Sequence, residues 1–447
     1  MTALLEDRFR LALDDEYVRK TITVKPSPVL SLASAESLMA AKILEDALRQ
    51  SFIPNQFSID FIHEMVSRAF MHHCYVFSSE AEHQAKIYTP PVAEVVPVCL
   101  TGLAGLGKSR TIEALKKVMP GPSELQSPYF DGVLNLESYW YASAEGKESR
   151  KSLLLWFLFG ESNHKAVNFD KLLLECRRRA YRDLVSLLLL DETQHISLGL
   201  GIAKIVAILL TLMRIGPPAV FVSNFSLGHK LFKRNNEDKQ RLLAEPRIML
   251  PDEVGSKDWK AYVDECVRVS GGHIRTRGRN FAAELYRYTF GIKRIAVHLL
   301  KQAYVECRKS GRTWVEMDDL GSAFRSAEFT ANAGDVQDLH NLALGDRRVR
   351  KTRSDLWCPF DLPKTYMSSV KQSVIAERDK QVAATIFDSA MNASERAAKN
   401  QIIQPGDQKP SKATTRRPAA PRLSEEEQKS LFLEYTGGGA TSRRKSV

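Results

Sequence analysis

The stretch Gly102-Leu103-Ala104-Gly105-Leu106-Gly107-Lys108-Ser109 fits the pattern G-x-x-x-x-G-K-[S/T], in which a glycine-rich loop joins a strand to a helix. The apolar run Val98 to Thr101 precedes it, and a helix-like stretch begins at Arg110. In such a loop the glycines let backbone N–H groups curl around phosphates, Lys108 neutralises the β- and γ-phosphates, and the Ser109 hydroxyl is a ligand for Mg²⁺. We therefore expect this stretch, with Arg110, to bind ATP and Mg²⁺. A chance glycine-rich turn is the alternative, and the next motif argues against it.

A second motif ends in two carboxylates. The apolar run Leu187 to Leu190 is followed directly by Asp191 and Glu192. Acidic side chains can follow a buried strand where the strand ends at the ligand-binding edge of a parallel sheet. We expect Asp191 to hold Mg²⁺ through its hydration shell and Glu192 to act as the general base that polarises the attacking water. The pair predicts hydrolysis of ATP as well as binding.

Three further residues are candidates for catalytic roles. Asn224 follows an apolar run and is a candidate for orienting the attacking water, with an ordinary turn-forming asparagine as the alternative. Arg241 is a candidate for the arginine that reaches the γ-phosphate of a neighbouring subunit, with a solvated surface arginine as the alternative. Arg294 ends Gly291-Ile292-Lys293-Arg294, a G-x-x-R pattern at a helix start, which predicts that it lies over the phosphates.

The predicted fold is an α/β P-loop fold of the AAA+ type, because short apolar runs alternate with amphipathic stretches around these motifs. Pro97 cannot donate to a sheet ladder, so the first strand is expected to begin after it. The strands of the parallel sheet are predicted from four apolar runs: Val98 to Thr101, Gly132 to Leu136, Val185 to Leu190 and Ala219 to Ser223.

The chain divides by composition and periodicity into four predicted parts. Two helix-like stretches, near 35–50 and 59–72, indicate a helical N-terminal domain for binding a target selector or another partner, each stretch preceded by a serine that can cap it. Helical periodicity after the core indicates a lid, and beyond it the periodicity fades into a basic extension for partner recruitment, in part a disordered tail. The predicted parts are the N-terminal domain 1–92, the ATPase core 93–256, the lid 257–330 and the C-terminal extension 331–447.

Composition favours a polyanionic partner. Lys and Arg total 64 against 53 Asp and Glu, which gives a net charge of +11, with a pI near 9.2. Basic residues cluster at 177–179, at 275–279 and at 347–353, although most charge runs are solvated faces. No apolar run approaches the roughly 18 residues of a membrane helix, and the acidic N-terminus does not resemble a secretory signal, so we expect a cytoplasmic protein.

Cysteine and histidine usage indicates no metal site other than the Mg²⁺ that accompanies ATP. The six cysteines lie far apart without C-x-x-C spacing, which argues against a zinc site and against a disulfide framework. His72-His73-Cys74 stands without further spaced ligands, and we interpret it as structural.

Three segments together resemble TnsC and its TniB relatives, the AAA+ regulators of heteromeric DNA transposons. They are Leu190-Asp191-Glu192-Thr193-Gln194-His195-Ile196, Leu227-Gly228-His229-Lys230-Leu231-Phe232 after Asn224, and Tyr288-Thr289-Phe290-Gly291-Ile292-Lys293-Arg294. The resemblance covers about residues 93 to 310. The chain departs from common family usage at Leu106 and at Asn224, where a Thr often stands, and neither change removes a group that the chemistry needs.

The resemblance implies a bacterial, DNA-associated protein that forms an ATP-dependent homo-oligomer, a ring or helical filament, around duplex DNA. It implies a target-selector partner of the TnsD or TniQ type, transposase partners of the TnsA and TnsB type, and ATP hydrolysis that resets the complex. By the same resemblance, DNA contacts are expected from segments between the two nucleotide motifs, at Lys147, Arg150, Lys151 and Lys165. The alternatives are a nucleotide-switched AAA+ or STAND-like scaffold without DNA binding and a replication-type helicase-loader ATPase.

Overall fold

Seven strands form two sheets in the computed structural model. The model describes residues 7–30, 32–92, 94–126, 132–145, 149–160, 168–193, 201–276 and 280–395. The strands are β1 (Val98–Gly102), β2 (Ser123–Gln126), β3 (Val133–Leu136), β4 (Tyr139–Ser143), β5 (Leu187–Asp191), β6 (Ala219–Val222) and β7 (Glu245–Met249).

The larger sheet is parallel and has the strand order β4-β5-β6-β1-β7. Every residue of β1, β5 and β6 is buried, as expected for continuous apolar runs in a sheet covered on both faces. Because β6 lies between β1 and β5, the carboxyl ends of these three strands meet at one edge of the sheet. The fold is the predicted α/β fold with a parallel sheet and helices on both faces, and β1 begins at Val98, directly after Pro97.

One predicted strand lies elsewhere, and two strands of the parallel sheet were not predicted. The run from Gly132 to Leu136 contains β3, which pairs antiparallel with β2 in a separate sheet. Its side chains alternate between exposed and buried, with Asn135 exposed, which is typical of a strand with one solvated face. The missed strands β4 and β7 are the two edges of the parallel sheet, where polar residues and Pro246 are tolerated and blur the apolar signal.

The N-terminal helices pack on two different parts of the molecule. They are α1 (Asp15–Ile22), α2 (Ser37–Gln50), α3 (Gln56–Val76) and α4 (Glu80–Tyr88), and α2 and α3 confirm the two predicted stretches. The side chains of Glu36 and Asn55, not serines, cap α2 and α3. Buried residues of α1 and α3 share a hydrophobic core with β1, whereas buried residues of α2 share a core with the lid. Segments on either side of residue 92, the predicted domain boundary, therefore share hydrophobic cores.

Helices cover the sheet and build the lid. Around the sheet are α5 (Lys108–Val118), α6 (Arg150–Phe159), α7 (Phe169–Arg182), α8 (Ile202–Met213), α9 (Phe225–Phe232) and α10 (Asn236–Leu242). The lid contains α11 (Lys257–Val269), α12 (Phe281–Thr289), α13 (Lys293–Lys309) and α14 (Met317–Phe324). Trp259 and Tyr304 are fully buried in its core. Among the helices that the structure describes, none has the length and apolar character needed to cross a membrane.

The chain beyond the lid continues as α15 (Thr330–Ala343), α16 (Arg347–Thr352) and α17 (Lys364–Ala390). Beyond Ala331, where the apolar periodicity fades as expected, α15 nevertheless buries Val336 and Leu339 in the lid core. The segment between α16 and α17 packs on α9, where the ring of Phe360 lies 5.0 Å from the ring of Phe232. The described residues up to Gln381 form one compact unit, and a second unit begins at Val382. The predicted tail after about residue 400 lies outside the described residues.

Candidate nucleotide site

The loop between β1 and α5 forms an anion-binding cradle. Gly105 and Gly107 have φ angles of +85° and +111°, which side-chain-bearing residues rarely adopt. Gly107 is the N-cap of α5 and supplies no side-chain cap, so the first N–H groups of the helix remain available to an anion. A Cβ atom on Gly105 would lie 2.8 Å from the Cβ of Arg294, because the lid approaches the loop here. This position therefore needs glycine for both conformation and space.

Lys108 lies inside this loop. Its Nζ donates hydrogen bonds to the carbonyl oxygens of Gly102 (2.9 Å) and Leu103 (2.8 Å). Burial lowers the pKa of the Lys108 ammonium to about 8, and the nearby Asp191 carboxylate opposes that shift. A cation removed from water in this way is stabilised by an anionic ligand, such as a phosphate.

The two carboxylates after β5 differ in their surroundings. Asp191 is buried, which raises its pKa, while hydrogen bonds from the Glu192 backbone N–H (2.7 Å) and the Ser109 hydroxyl oppose the rise. Glu192 has a φ of +58°, a left-handed conformation that is uncommon for a residue other than glycine and is found disproportionately at functional sites. The next residue, Thr193, is buried and donates to the Val222 carbonyl oxygen (2.5 Å), which anchors the chain to β6. Contacts within the fold thus hold the Glu192 backbone in a left-handed conformation that is uncommon for this residue type.

A cavity of about 720 Å³ brings these groups together. One side, which we name the phosphate wall, consists of Gly105–Ser109, Asp191, Glu192, Asn224 and Arg294. A second part of the lining, which we name the N-terminal wall, consists of Leu48, Arg49, Ser51, Phe52 and Ile53 with Tyr262 and Val297 of the lid. Its size is within the range of small-molecule and cofactor sites.

The catalytic candidates occupy different positions relative to this cavity. Asn224 lines it and also caps α9, because its Oδ1 accepts a hydrogen bond from the Leu227 backbone N–H (3.0 Å). Arg294 lines it too, and its backbone N–H donates to the Gly105 carbonyl oxygen (3.1 Å). Arg241 does not line the cavity; its partly exposed guanidinium pairs with Glu237 at 3.2 Å. The catalytic roles of all three stay predictions.

Of the four residues expected to contact DNA, two can be placed. Arg150 and Lys151 are exposed at the start of α6, and the Arg150 guanidinium lies 4.6 Å above the centre of the Phe169 ring. Lys147 and Lys165 lie outside the described residues, as do Gln194, His195 and Ile196 of the segment that resembles TnsC. Arg150 and Lys151 thus lie in the first turn of α6.

Two of the basic clusters are partly engaged within the protein. Arg177 is buried and its Nε donates to the Arg214 carbonyl oxygen (2.6 Å). Arg353 pairs with three carboxylates, and Arg350 lies 4.5 Å above the Trp357 ring. The partners of Arg353 are Asp335, Asp338 and Asp355.

Sequence reasoning missed the N-terminal wall, which stands where the chain passes between α2 and α3. Val24 and Phe52 exchange two backbone hydrogen bonds of 2.9 Å. These bonds hold the segment after α1 against the segment after α2. The Asn55 side chain donates to Asp252 (2.7 Å), and Asp252 forms an ion pair with Lys293 at 3.5 Å. These contacts join the N-terminal segment, the segment that leads into the lid, and Lys293 of the lid beside the cavity.

Solved structures similar to this chain are AAA+ proteins, at low identity. The Aeropyrum pernix ORC2 protein in ADPNP–ADP complexes is 12% identical, with 74% of this chain and 98% of that chain covered and a TM-score of 0.39. Drosophila ORC bound to DNA is 15% identical, with 85% and 87% covered and a TM-score of 0.39. The Thermotoga maritima RuvB Holliday junction branch migration motor is 11% identical, with 70% and 87% covered and a TM-score of 0.32. No protein-family model and no curated protein matches the sequence.

Proposed function

We propose that this chain is an ATPase. The observation that carries the proposal is the phosphate wall, where a half-buried lysine, a hydroxyl and two carboxylates from separate motifs line one cavity. Lys108 and the N-terminal turn of α5 supply positive charge and N–H donors for phosphates, as P-loops do. The cavity also accommodates a nucleoside beyond the phosphates, since it extends to the largely apolar N-terminal wall.

The residues beside Lys108 suit Mg²⁺ and hydrolysis. The Ser109 hydroxyl and the Asp191 carboxylate are adjacent oxygen donors, which is the ligand type that Mg²⁺ prefers. When bound, Mg²⁺ neutralises charge that develops on the phosphates. Glu192, held next to Asp191 by its left-handed backbone, would accept the proton of the attacking water, and Asn224 would orient that water.

We further propose that ATP controls assembly of the chain on duplex DNA in DNA transposition, as the resemblance to TnsC implies. In this role it would form a homo-oligomer, receive a target selector of the TnsD or TniQ type and recruit transposase subunits of the TnsA and TnsB type. The net charge of +11 and the exposed Arg150 and Lys151 support DNA binding. The partly exposed Arg241 is available for a trans contact to a neighbouring subunit's nucleotide.

The test is a gel shift with non-specific duplex DNA in ATP and in ADP over a series of salt concentrations. We expect tighter binding in ATP and a steep loss of affinity with salt, because neutralised phosphates release counterions. Arg150→Glu with Lys151→Glu should weaken binding more than the charge-matched pair Lys257→Glu with Lys260→Glu in the lid, and neither should alter basal ATP hydrolysis. ATP hydrolysis without any DNA binding would favour the scaffold alternative. Failure to bind transposase subunits while loading a helicase would favour the helicase loader.

A further inference from the structure

The chain between α16 and α17 contacts one face of α9. The Nε2 of His229 donates to the Trp357 carbonyl oxygen (3.0 Å), and the centres of the two rings lie 4.0 Å apart. The Phe360 ring lies 5.0 Å from the Phe232 ring. We name residues 353–366 the strap; they comprise this connection and the first residues of α17. Two aromatic pairs and a hydrogen bond thus join the strap to α9.

Gly228 of α9 allows the strap to approach closely. A Cβ atom on Gly228 would lie 2.9 Å from the Cγ of Pro359. The Pro359 ring is closed on its own backbone and cannot rotate away, so a side chain at residue 228 would displace the strap or the helix. A glycine within a helix is less favourable than an alanine. Contact with the strap accounts for Gly228, His229 and Phe232, which belong to the segment that resembles TnsC and do not line the nucleotide cavity.

The ends of the strap are attached to the lid and to the segment that leads into it. Arg353 forms ion pairs with Asp335 and Asp338 of α15, at 2.6 Å and 2.8 Å, and α15 packs in the lid core. The Tyr366 hydroxyl donates to the Pro251 carbonyl oxygen (3.4 Å), between β7 and α11. The strap is therefore fixed at both ends while its middle contacts α9.

The strap also connects two hydrophobic cores. Leu356 and Cys358 pack against the lid core, whereas Phe360 packs against the core of the sheet. Lid and sheet meet again at the nucleotide cavity, which is lined by Arg294 of the lid and by Asn224 after β6. The same two parts of the molecule are thus connected by the strap and by any nucleotide that contacts both residues.

Asn224 is the residue through which α9 reaches the cavity. Its Oδ1 accepts the capping hydrogen bond from the Leu227 N–H (3.0 Å), so the NH₂ of the amide is the group that remains for a ligand. A donor orients a water molecule only where its own position is fixed, since a displacement of about 1 Å can cost about 10²-fold in rate. The backbone of Asn224 continues directly into α9, and the strap contacts this helix at residues 228–232. The position of the helix therefore sets the position of the Asn224 amide.

We propose that Trp357 and Phe360 are positioning residues for ATP hydrolysis, which hold α9 so that the Asn224 amide orients the attacking water. The inference rests on the proposed ATPase function and gives the chain beyond the lid a part in the chemical step. Neither Trp357 nor Phe360 lines the nucleotide cavity, so both act through α9 and not by contact with the nucleotide. Because the strap is also attached to the lid, it ties the position of Asn224 to the part of the molecule that carries Arg294.

The experiment measures single-turnover hydrolysis of bound ATP by the full-length chain, together with ATP affinity. Trp357→Ala should slow hydrolysis by about 10-fold and leave ATP affinity nearly unchanged, because the cavity itself is untouched. Trp357→Phe, which keeps an aromatic ring against His229, should retain most of the rate. The matched control is Trp314→Ala, which should not change the rate. Trp314 is half-buried in the lid with the Arg275 guanidinium 3.7 Å from its ring centre, as Trp357 is half-buried with Arg350 at 4.5 Å.

A double-mutant cycle with Asn224→Asp separates positioning from general destabilisation. Asn224→Asp keeps an oxygen that caps α9 but removes the NH₂ donor, so it should slow hydrolysis by itself. Once that donor is absent, Trp357→Ala should cause no further slowing, because its effect passes through Asn224. Two effects that multiply in the double variant would overturn the inference. So would a folded Trp357→Ala protein that hydrolyses bound ATP at the unmodified rate.

Gly228→Ala disturbs the same contact without removing any packing, and it decides the matter if Trp357→Ala does not fold. The added methyl group displaces the strap or α9, so hydrolysis should slow even though alanine favours the helix. An unchanged or faster rate in this variant would contradict the proposal. If the unmodified protein hydrolyses no ATP, the ATPase proposal itself fails. If it hydrolyses ATP and Asn224→Asp does so at the same rate, the ATPase proposal stands and this inference fails.

Discussion

The two walls of the cavity are assembled in different ways. The phosphate wall comes mainly from three short segments at the carboxyl ends of β1, β5 and β6, which are neighbours in the sheet. The N-terminal wall combines a connection between two helices with lid residues more than 200 positions away in sequence. Each segment of the phosphate wall is a short run of contiguous residues, whereas the N-terminal wall forms only through contacts between residues far apart in sequence. Substitutions in the two walls should therefore differ in the size and kind of their effects.

Lys108→Ala should have the largest effect on nucleotide binding. It removes the half-buried ammonium that lies inside the loop, and the phosphate charges lose their main counter-ion. We expect ATP affinity to fall by at least about 100-fold, and ATP-dependent assembly on DNA to be lost, because charge-assisted contacts in a desolvated site are strong. A filter-binding or calorimetric titration measures the affinity.

Lys117→Ala is the control for this substitution. Lys117 is exposed on the same helix, α5, and does not line the cavity, so its removal should leave ATP affinity nearly unchanged. Equal ATP affinities for Lys108→Ala and the unmodified protein would show that the phosphate wall does not bind phosphates.

The phosphate wall could be predicted from sequence because each of its motifs is a short run of residues whose types are dictated by their local structure. Gly105 and Gly107 are needed for their backbone conformations, and Asp191 and Glu192 follow a strand that is otherwise wholly apolar. By contrast, Ser51 follows an ordinary helix and no spacing pattern distinguishes it. Its neighbour Gln50 accepts a hydrogen bond from Arg110, and Ser51 lines the same cavity as lid residues, and only the folded chain brings these groups close.

The same distinction explains the errors in the predicted fold. The sequence predicts the central strands β1, β5 and β6, which are buried throughout and mostly apolar, but not the edge strands β4 and β7, which mix polar and apolar residues. The extension after Ala331 looked polar because its apolar residues are sparse. Several of them nevertheless pack on the lid or on α9, as Leu339 and Phe360 do.

Asp252→Ala should have a smaller effect, centred on the N-terminal wall. It breaks both the hydrogen bond from Asn55 and the ion pair with Lys293, which join the N-terminal segment to the lid. We expect the free energy of unfolding to fall by about 1–3 kcal/mol, because buried polar partners are left unpaired, while ATP affinity falls by less than about 10-fold. Thermal unfolding with and without ATP measures both quantities.

The control for Asp252→Ala is Asp264→Ala, on the exposed face of the lid helix α11. A surface substitution of this kind should change stability by no more than about 0.5 kcal/mol. If both variants unfold at the same temperature, the contacts around Asp252 do not join the two parts of the molecule.

The central claim, that the phosphate wall hydrolyses ATP through Glu192, is tested most directly by Glu192→Gln. This substitution keeps the size of the side chain and leaves Asp191 and Ser109 in place, but removes the base that accepts a proton from water. The measurement is single-turnover hydrolysis of bound ATP, with equilibrium ATP affinity and the lifetime of DNA complexes after dilution determined on the same samples. We expect near-normal affinity, hydrolysis slowed by about 10²- to 10⁴-fold, and DNA complexes that persist longer than those of the unmodified protein. Hydrolysis at an unchanged rate would contradict the account.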